Sequence, residues 1–302
     1  MKEHVDHRPK QKALTLALTA ALAVMSHAAM AQVSGPTTGP NIWTSGDLSV
    51  TSSGTISGGL STTPYVYSTL RITGAGIDFG SVGTLTNTGN ITGGGGGGSP
   101  YGTSPGGDAV IFAGNGDIRN SGMILGGAAY VGSFQYAGSA GGVGVDITGV
   151  GTLVNFGTIL GGHGAVETDL SIGTDGNGGN GVDLNGGLLI DSGFIGGGGA
   201  ATDARQGDAI YFGTAAATLV VEQGAAFDGD IVARASVNDT LVLGNATAGT
   251  FSGLGAAVTG FSTLRENTGT NWTLTASPSI SAAAQVIGGT LSIVGSLADS
   301  GR

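Results

Sequence analysis

The 302-residue chain contains no cysteine, so no disulfide can stabilise its fold. Proline is scarce, with 7 residues, and no Gly-X-Y period is present, which excludes collagen. Charged residues make up only 10 % and aromatic residues 6 % of the chain. Hydrophobic residues nevertheless reach 40 %, which is enough apolar surface for a buried core and argues against general disorder.

Lysine is absent after residue 12, and histidine occurs after residue 31 only as His163. From residue 32 onward, 6 arginines face 18 carboxylates, a net charge of −12. Phosphate binding requires clustered lysine and arginine, so the sequence disfavours nucleic acid as a partner and suits cations better.

Glycine is abundant, with 62 residues spread throughout the chain. Each glycine inside a helix costs about 1 kcal/mol relative to alanine, which disfavours a helical domain. Apolar and small polar residues instead alternate with the period of two that is typical of strands. The sequence therefore predicts an all-β fold.

The N-terminus has the pattern of a signal peptide. A basic stretch at 2–12 precedes an apolar run at 13–25 and the small-x-small sequence Ala29-Met30-Ala31. An apolar helix of this length spans about 20 Å, less than the roughly 30 Å of a bilayer core. We predict a signal peptide at 1–31, cleaved after Ala31, and export by the Sec pathway.

One sequence pattern recurs six times: an aliphatic residue, then usually Asn or Asp two positions later, Gly four positions later and Ile six positions later. We number these repeats 1 to 6 by their central glycines, which are Gly54, Gly89, Gly122, Gly157, Gly193 and Gly224. A unit of a few short strands cannot bury its apolar face alone. The repeats are therefore expected to stack about 4.8 Å apart as a parallel β-solenoid.

Stacking predicts columns of equivalent side chains. One inward column comprises Ile56, Ile91, Ile124, Ile159 and Ile195, and a second comprises Val50, Leu85, Ile118, Leu153, Leu189 and Val220. Asn87, Asn120 and Asn155 are expected to form a ladder of side-chain amides between repeats. The central glycines are expected to adopt positive φ to turn the chain.

The repeats exceed the length of a simple coil turn because glycine-rich segments follow them, at 93–107, 126–142, 161–181 and 196–207. We expect these segments to project as loops from one edge. After Gly224, strand signals tighten to a spacing near 20 residues. The predicted organisation is thus a 34-residue repeat region at 32–230, followed by shorter turns at 231–302.

The C-terminal part contains three strand-like sequences, Thr250-Phe251-Ser252-Gly253-Leu254, Thr259-Gly260-Phe261-Ser262-Thr263-Leu264 and Asn271-Trp272-Thr273-Leu274. With the repeats, this pattern resembles the passenger region of an autotransporter of type V secretion. The resemblance implies a right-handed parallel β-helix displayed at the cell surface. Such proteins end in an outer-membrane barrel, whereas this chain ends at Arg302 without one.

The expected function is a non-enzymatic, adhesin-like passenger. Its expected location is the cell surface, the outer membrane or the medium, or the periplasm if the barrel is missing. Its expected partner is a glycan or protein on a host or neighbouring cell. The loop aromatics Tyr101, Tyr130, Phe134 and Tyr136 either contact that partner or pack back onto the solenoid. A β-helical carbohydrate-active enzyme and a truncated, non-functional fragment are the alternatives.

Two sequence features match catalytic patterns, but neither predicts a catalytic site. The sequence 102–106 matches G-x-S-x-G around Ser104, but it lies in a glycine-rich segment rather than between a strand and a helix. His163 is flanked by glycines, where a solvated imidazole is the expected state.

Calcium is the one cofactor with any support. Gly141 to Asp146 and Gly178 to Asp183 match the first six positions of the G-G-x-G-x-D-x-U-x calcium roll, although the eighth positions do not match. Asp146 and Asp183 are expected to face outward on adjacent strands, about 5 Å apart, with Ile111 separating them from Asp78. Solvated aspartates are the preferred interpretation, and a bridging Ca²⁺ is the alternative.

Overall fold

The computed structural model describes residues 31–38, 42–43, 46–51, 54–58, 74–80, 82–97, 103–131, 138–166, 175–200, 204–267, 269–275, 279–280, 283–286, 289–294 and 298–299. Within these ranges the fold is all-β, as predicted, and the only helix is the short 3-10 turn Ala235–Val237. None of the helical structure described there is long and apolar enough to cross a membrane. Residues 1–30 of the predicted signal peptide at 1–31 lie outside the described residues, and Ala31, the predicted cleavage position, begins the strand Ala31–Val33.

Sheet 1 is the largest sheet, with 16 strands among the described residues, and its strands pair in parallel. Its strands form two rows, in each of which every strand pairs with the next. The first row contains Ala31–Val33, Gly46–Val50, Gly83–Asn87, Gly116–Asn120, Val145–Asn155, Val182–Asp191, Ala217–Val221, Thr240–Leu243, Thr263–Glu266 and Ala283–Val286. A second row shares the long strands Val145–Asn155 and Val182–Asp191 and adds Ile42–Trp43, Ile77–Phe79, Val110–Phe112, Ile210–Phe212, Ile231–Val232 and Val258–Thr259.

Sheet 2 is also parallel and contains Pro36–Thr38, Thr55–Ser57, Asn90–Thr92, Met123–Leu125, Thr158–Leu160, Phe194–Gly196 and Ala226–Asp228. Sheet 3 contains Gly249–Phe251, Asn271–Thr275 and Thr290–Val294. Two small pairs complete the described strands, Thr103–Ser104 with Tyr130–Val131, which is antiparallel, and Ser279–Ile280 with Ala298–Asp299, which is parallel.

The strands of one repeat pair with the equivalent strands of the next. In sheet 2, for example, Ile91 is the partner of Ile124, and Ile124 is the partner of Ile159. A long parallel stack of short strands, each one repeat from its neighbour, is compatible with a β-solenoid. The buried hydrophobic residues of these strands form one core cluster along the stack.

The predicted isoleucine column is present. Ile56, Ile91, Ile124, Ile159 and Ile195 are register partners in sequence, and each is at most 2 % exposed. Burying such a side chain contributes about 1.5–3 kcal/mol, so the column supplies a large share of the stacking energy. Phe79 and Phe112 form a second contact between repeats, with parallel rings whose centroids are 4.1 Å apart.

The second aliphatic column is correct from Leu85 to Leu189 but wrong at both ends. Leu48, rather than Val50, pairs with Leu85, and Leu219, rather than Val220, pairs with Leu189. The cause is turn length. Four residues separate the sheet 1 strand from the sheet 2 strand in repeats 1 and 6, against two in repeats 2 and 5, so alignment on the central glycine misplaces the strand.

The expected positive φ at the central glycines is wrong for repeats 1 to 5, and only Gly224 adopts it. These glycines are needed for a different reason, namely close approach of the backbones of adjacent repeats. A Cβ atom on Gly122 would lie 2.1 Å from the carbonyl oxygen of Gly89, and one on Gly157 would lie 2.2 Å from that of Gly122.

The described ends of the glycine-rich segments are bonded to neighbouring segments rather than free. Their N–H groups donate in succession, from Gly107 to Gly94, Gly127 to Gly107, Gly142 to Gly127, Gly162 to Gly142, Gly179 to Gly162, Gly198 to Gly179 and Gly207 to Gly198, at 2.7–3.0 Å. The middles of the segments, at 98–102, 132–137, 167–174 and 201–203, lie outside the described residues.

In the C-terminal part, register partners lie closer in sequence, as with Leu241 and Leu264 or Gly249 and Trp272. The aromatic residues of the autotransporter-like pattern lie in the core: Phe251, Phe261 and Trp272 are 3–7 % exposed. The Trp272 Nε1–H donates to the carbonyl oxygen of Gly244 at 2.8 Å, so the buried indole has a hydrogen-bond partner.

Candidate functional site

Asp146 and Asp183 are register partners on adjacent strands of sheet 1, at the positions that the sequence indicated. Ile111 is the register partner of both Asp78 and Asp146, so Asp78 lies two strands from Asp146, whereas Asp183 lies on the adjacent strand. On the other side, Tyr211 is the register partner of Asp183. Both carboxyl side chains are half-buried.

Two further aspartates join this pair. Asp108 and Asp208 each precede the second-row strand of their repeat, and both are half-buried. Asp108 raises the pKa of both Asp146 and Asp183 by charge repulsion, and Asp208 raises that of Asp183. We call Asp108, Asp146, Asp183 and Asp208 the acidic row.

Neutral donors hold parts of the acidic row in place. The Val143 amide donates to Asp108 Oδ1 at 2.6 Å, and Asn180 Nδ2 donates to Asp183 Oδ1 at 2.7 Å. Asn180 Oδ1 in turn accepts from the Asp208 amide at 2.8 Å. The bonds from Val143 to Asp108 and from Asp208 to Asn180 join one repeat to the next, and the bond between Asn180 and Asp183 lies within one repeat.

Burial, together with repulsion from neighbouring carboxylates, raises the pKa values of the row. Burial raises the pKa of Asp146 to about 6, with Asp108 and Asp183 adding to the effect. Burial also raises the pKa of Asp183 to about 6, against the hydrogen bond from Asn180. It raises the pKa of Asp108 and Asp208 as well, where the Val143 amide and Arg205, respectively, act in the opposite direction.

An aromatic ring and a cation flank the row. The Arg234 guanidinium lies 5.7 Å from the centroid of the Tyr211 ring, and its Nη2 donates to the Tyr211 hydroxyl at 2.6 Å. Carboxyl groups with a pKa near 6 can donate or accept protons near neutral pH, and the Arg234 guanidinium is held against the Tyr211 ring by a cation–π contact. The arrangement therefore forms an acidic, polar surface to which a ligand could bind.

The predicted calcium role of Asp146 and Asp183 remains a hypothesis. Within the described part of the chain, no three acidic or histidine side chains form a group that could hold a metal ion. A bridging Ca²⁺ would need further oxygen ligands, since this cation takes six to eight.

The three ladder asparagines are brought together in the interior. Asn87 Nδ2 donates to Asn120 Oδ1, and Asn120 Nδ2 donates to Asn155 Oδ1, both at 2.8 Å. All three side chains are fully buried. Each Oδ1 also accepts the N–H of the central glycine two residues later, at 3.0–3.2 Å. The ladder therefore ties strand, turn and neighbouring repeat together.

The remaining candidate residues do not join the acidic row. His163 is exposed. Ser104 is 1 % exposed, in the strand that pairs with Tyr130–Val131, so the strand–turn–helix context of a nucleophile elbow is not found at this serine. Tyr130 is half-buried in the same pair, and Tyr101, Phe134 and Tyr136 lie outside the described residues.

Sequence reasoning missed Asp108, Asp208 and Asp191. A signal for the first two exists, because Gly-Asp-Ala is followed by an aliphatic residue and then by a phenylalanine two positions later both at 107–112 and at 207–212. Asp191 occupies the ladder position of repeat 5, and its Oδ1 accepts from Asn155 Nδ2 at 2.7 Å. The recurring pattern allowed Asn or Asp there, so the ladder could have been extended by one member.

Comparison with known proteins adds no relative: no protein-family model, no curated protein and no solved structure matches the chain.

Proposed function

We propose that the chain is an exported, non-enzymatic structural passenger of the autotransporter type, built on a right-handed parallel β-helix. The observation that carries this proposal is that the signature residues of the repeat serve stacking. The isoleucines, the ladder asparagines and the central glycines are buried or closely approached by the neighbouring repeat. A repeat whose recurring residues all maintain the stack is typical of a stalk.

In this proposal, the contact surface is formed by the glycine-rich segments between Gly93 and Gly207. The network from Gly94 to Gly207 supports it, because it hydrogen-bonds the described ends of successive segments to one another. The partner is a glycan or protein at the surface of a host or neighbouring cell. Sequence variation on a repeating scaffold favours binding at these positions.

Export and binding can be tested separately. Bacteria that express the full chain would be treated with protease while intact, and N-terminal sequencing of the exported protein should begin at Gln32. Binding would be measured on glycan arrays and on cultured cells, with a variant in which 98–102 and 132–137 are replaced by Gly/Ser segments of equal length. Loss of binding with an unchanged far-UV circular dichroism spectrum is expected. Equal binding by both proteins would refute the assignment of the contact surface.

A carbohydrate-active enzyme is the second candidate, and the acidic row is the observation that favours it. A carboxyl group with a pKa of about 6, such as Asp146 or Asp183, is suited to general acid catalysis near neutral pH. Reducing-end release from acidic and neutral polysaccharides would be measured for the native chain and for Asp146→Asn and Asp183→Asn. The exposed Asp117→Asn variant is the matched control. Activity lost only in the first two variants would favour the enzyme over the passenger.

A further inference from the structure

We propose that the protonation state of Asp191 controls the contact between repeats 5 and 6. When protonated, Asp191 takes the place of a fourth ladder asparagine; when ionised, it weakens the attachment of repeat 6 to repeat 5. The inference concerns the interior of the stack and does not depend on the proposed function.

The geometry of Asp191 is that of a ladder end. Its side chain is fully buried, and its register partners are Asn155 on one side and Val221 on the other. Oδ1 accepts from Asn155 Nδ2 at 2.7 Å and from the Gly193 amide at 3.3 Å. Oδ2 is buried and has no hydrogen-bond partner. Since Val221 is apolar, the ladder ends here.

The ladder asparagines show which group the Oδ2 atom of Asp191 replaces, namely the Nδ2 amide group. Asn155 Nδ2, besides its ladder bond, approaches the carbonyl oxygens of Gly157 and Phe194 at 3.3 and 3.4 Å. The equivalent carbonyls for Asp191 are those of Gly193 and Ala226, because Phe194 and Ala226 are register partners. A protonated Oδ2 is a donor that suits such carbonyls. An ionised carboxylate has only acceptors and would leave a buried charge facing them.

The electrostatic environment favours the protonated form. Burial is the largest effect and raises the pKa of Asp191 to about 6, against the hydrogen bonds from Asn155 and Gly193. Among the described residues, the charged group that acts on Asp191 is the carboxylate of Glu222, which follows Val221 and raises the pKa further. The elements packed on Asp191 present the neutral side chains of Asn155 and Val221.

The sign of the pH dependence follows from this shift. The folded state holds the proton more tightly than the unfolded chain, whose carboxyl group has a pKa near 3.8. The extra stability is complete below that value and is lost as the pH rises through about 6. The contact that weakens joins Val182–Asp191 and Phe194–Gly196 to Ala217–Val221 and Ala226–Asp228.

The test compares the native chain with Asp191→Asn, which places a fourth asparagine where three others already fit. Amide hydrogen exchange would be measured between pH 4.5 and 8, corrected for intrinsic rates, at Glu222 and Ala226, whose N–H groups donate across this contact to Asp191 and Gly193. In the native chain, protection should fall by about thirtyfold over this range, because the stability that the pKa shift supplies drops tenfold per pH unit from 4.5 to about 6. The Asp191→Asn variant should show a much smaller fall, limited to what the other carboxyl groups with raised pKa values, Asp146 and Asp183, contribute.

Asp117→Asn, which changes an exposed carboxylate on the same sheet, is the matched control and should behave as the native chain does. Carbon-13 NMR titration of the Asp191 carboxyl group in the native protein gives an independent result, expected to have its midpoint near pH 6. A midpoint near pH 4, pH-independent protection in the native chain, or weaker protection at pH 7 in Asp191→Asn would overturn the proposal.

Discussion

The central glycines provide the sharpest test of the stacking, and Gly122 is the best placed of them. An alanine Cβ at this position would lie 2.1 Å from the Gly89 carbonyl oxygen and 2.8 Å from the Gly89 nitrogen. Both atoms belong to the backbone, so no side-chain rotation can relieve the contact. The two repeats would have to separate locally by about 1 Å, the difference between this distance and normal van der Waals contact.

The loss of stability can be estimated from the hydrogen bonds that Gly89 and Gly122 accept from the neighbouring repeat. The Gly89 carbonyl accepts from the Met123 amide at 2.9 Å, and the Gly122 carbonyl accepts from the Thr158 amide at 2.9 Å. Overpacking costs about 1–3 kcal/mol, and each weakened hydrogen bond adds about 1 kcal/mol. We expect Gly122→Ala to lower the free energy of unfolding by about 3 kcal/mol or more.

Gly80→Ala is the matched control, because a Cβ at Gly80 meets no atom within 4 Å. This change should be neutral or stabilise the chain by about 0.4–1 kcal/mol through the entropy of the unfolded state. Urea unfolding, followed by far-UV circular dichroism, and amide exchange at Met123 would measure both variants.

Gly122→Asn distinguishes steric crowding from a requirement for positive φ. Asparagine tolerates a left-handed backbone better than alanine does, so it would be the milder change if φ were the reason for glycine. Crowding predicts that Asn is at least as damaging as Ala. Equal stability of Gly122→Ala and Gly80→Ala would refute the close approach of the repeats.

Three other predictions concern the core and the acidic row. Ile124→Ala should lower the free energy of unfolding by about 2–5 kcal/mol, measured by urea titration, because the side chain is fully buried between two repeats. Asn120→Ala should cost about 2–4 kcal/mol in the same assay, since its two ladder neighbours each lose a buried partner; an unchanged midpoint would contradict the ladder. The native chain should lose stability as the pH rises from 4 to 7, because burial raises the pKa of Asp146 and Asp183 to about 6, and thermal melts of Asp146→Asn and Asp183→Asn should depend less on pH.

Much of the candidate site was predictable because it depends on position within a regular repeat. Asp146 and Asp183 occupy equivalent places after a Gly-Val pair, so parallel pairing brings them together at once. Asp108 and Asp208 each precede a strand, and how close they lie to Asp146 and Asp183 depends on how the chain enters the sheet. That path is a property of the glycine-rich segments, whose length differs between repeats, and local sequence does not specify it.

By itself, the sequence determined the strand content, the repeat and the inward isoleucine column, because alternation of side chains and a 34-residue period are properties of the chain alone. Only the tertiary structure decided the contacts between repeats. It showed that position 122 requires glycine because a neighbouring carbonyl approaches it closely, not because its φ is positive. It also showed that turn length places Leu48 and Leu219 in the second column. It also placed Asp191 at the end of the ladder. These features depend on distances of a few ångströms between residues about 35 positions apart, and such distances are set only when the repeats pack.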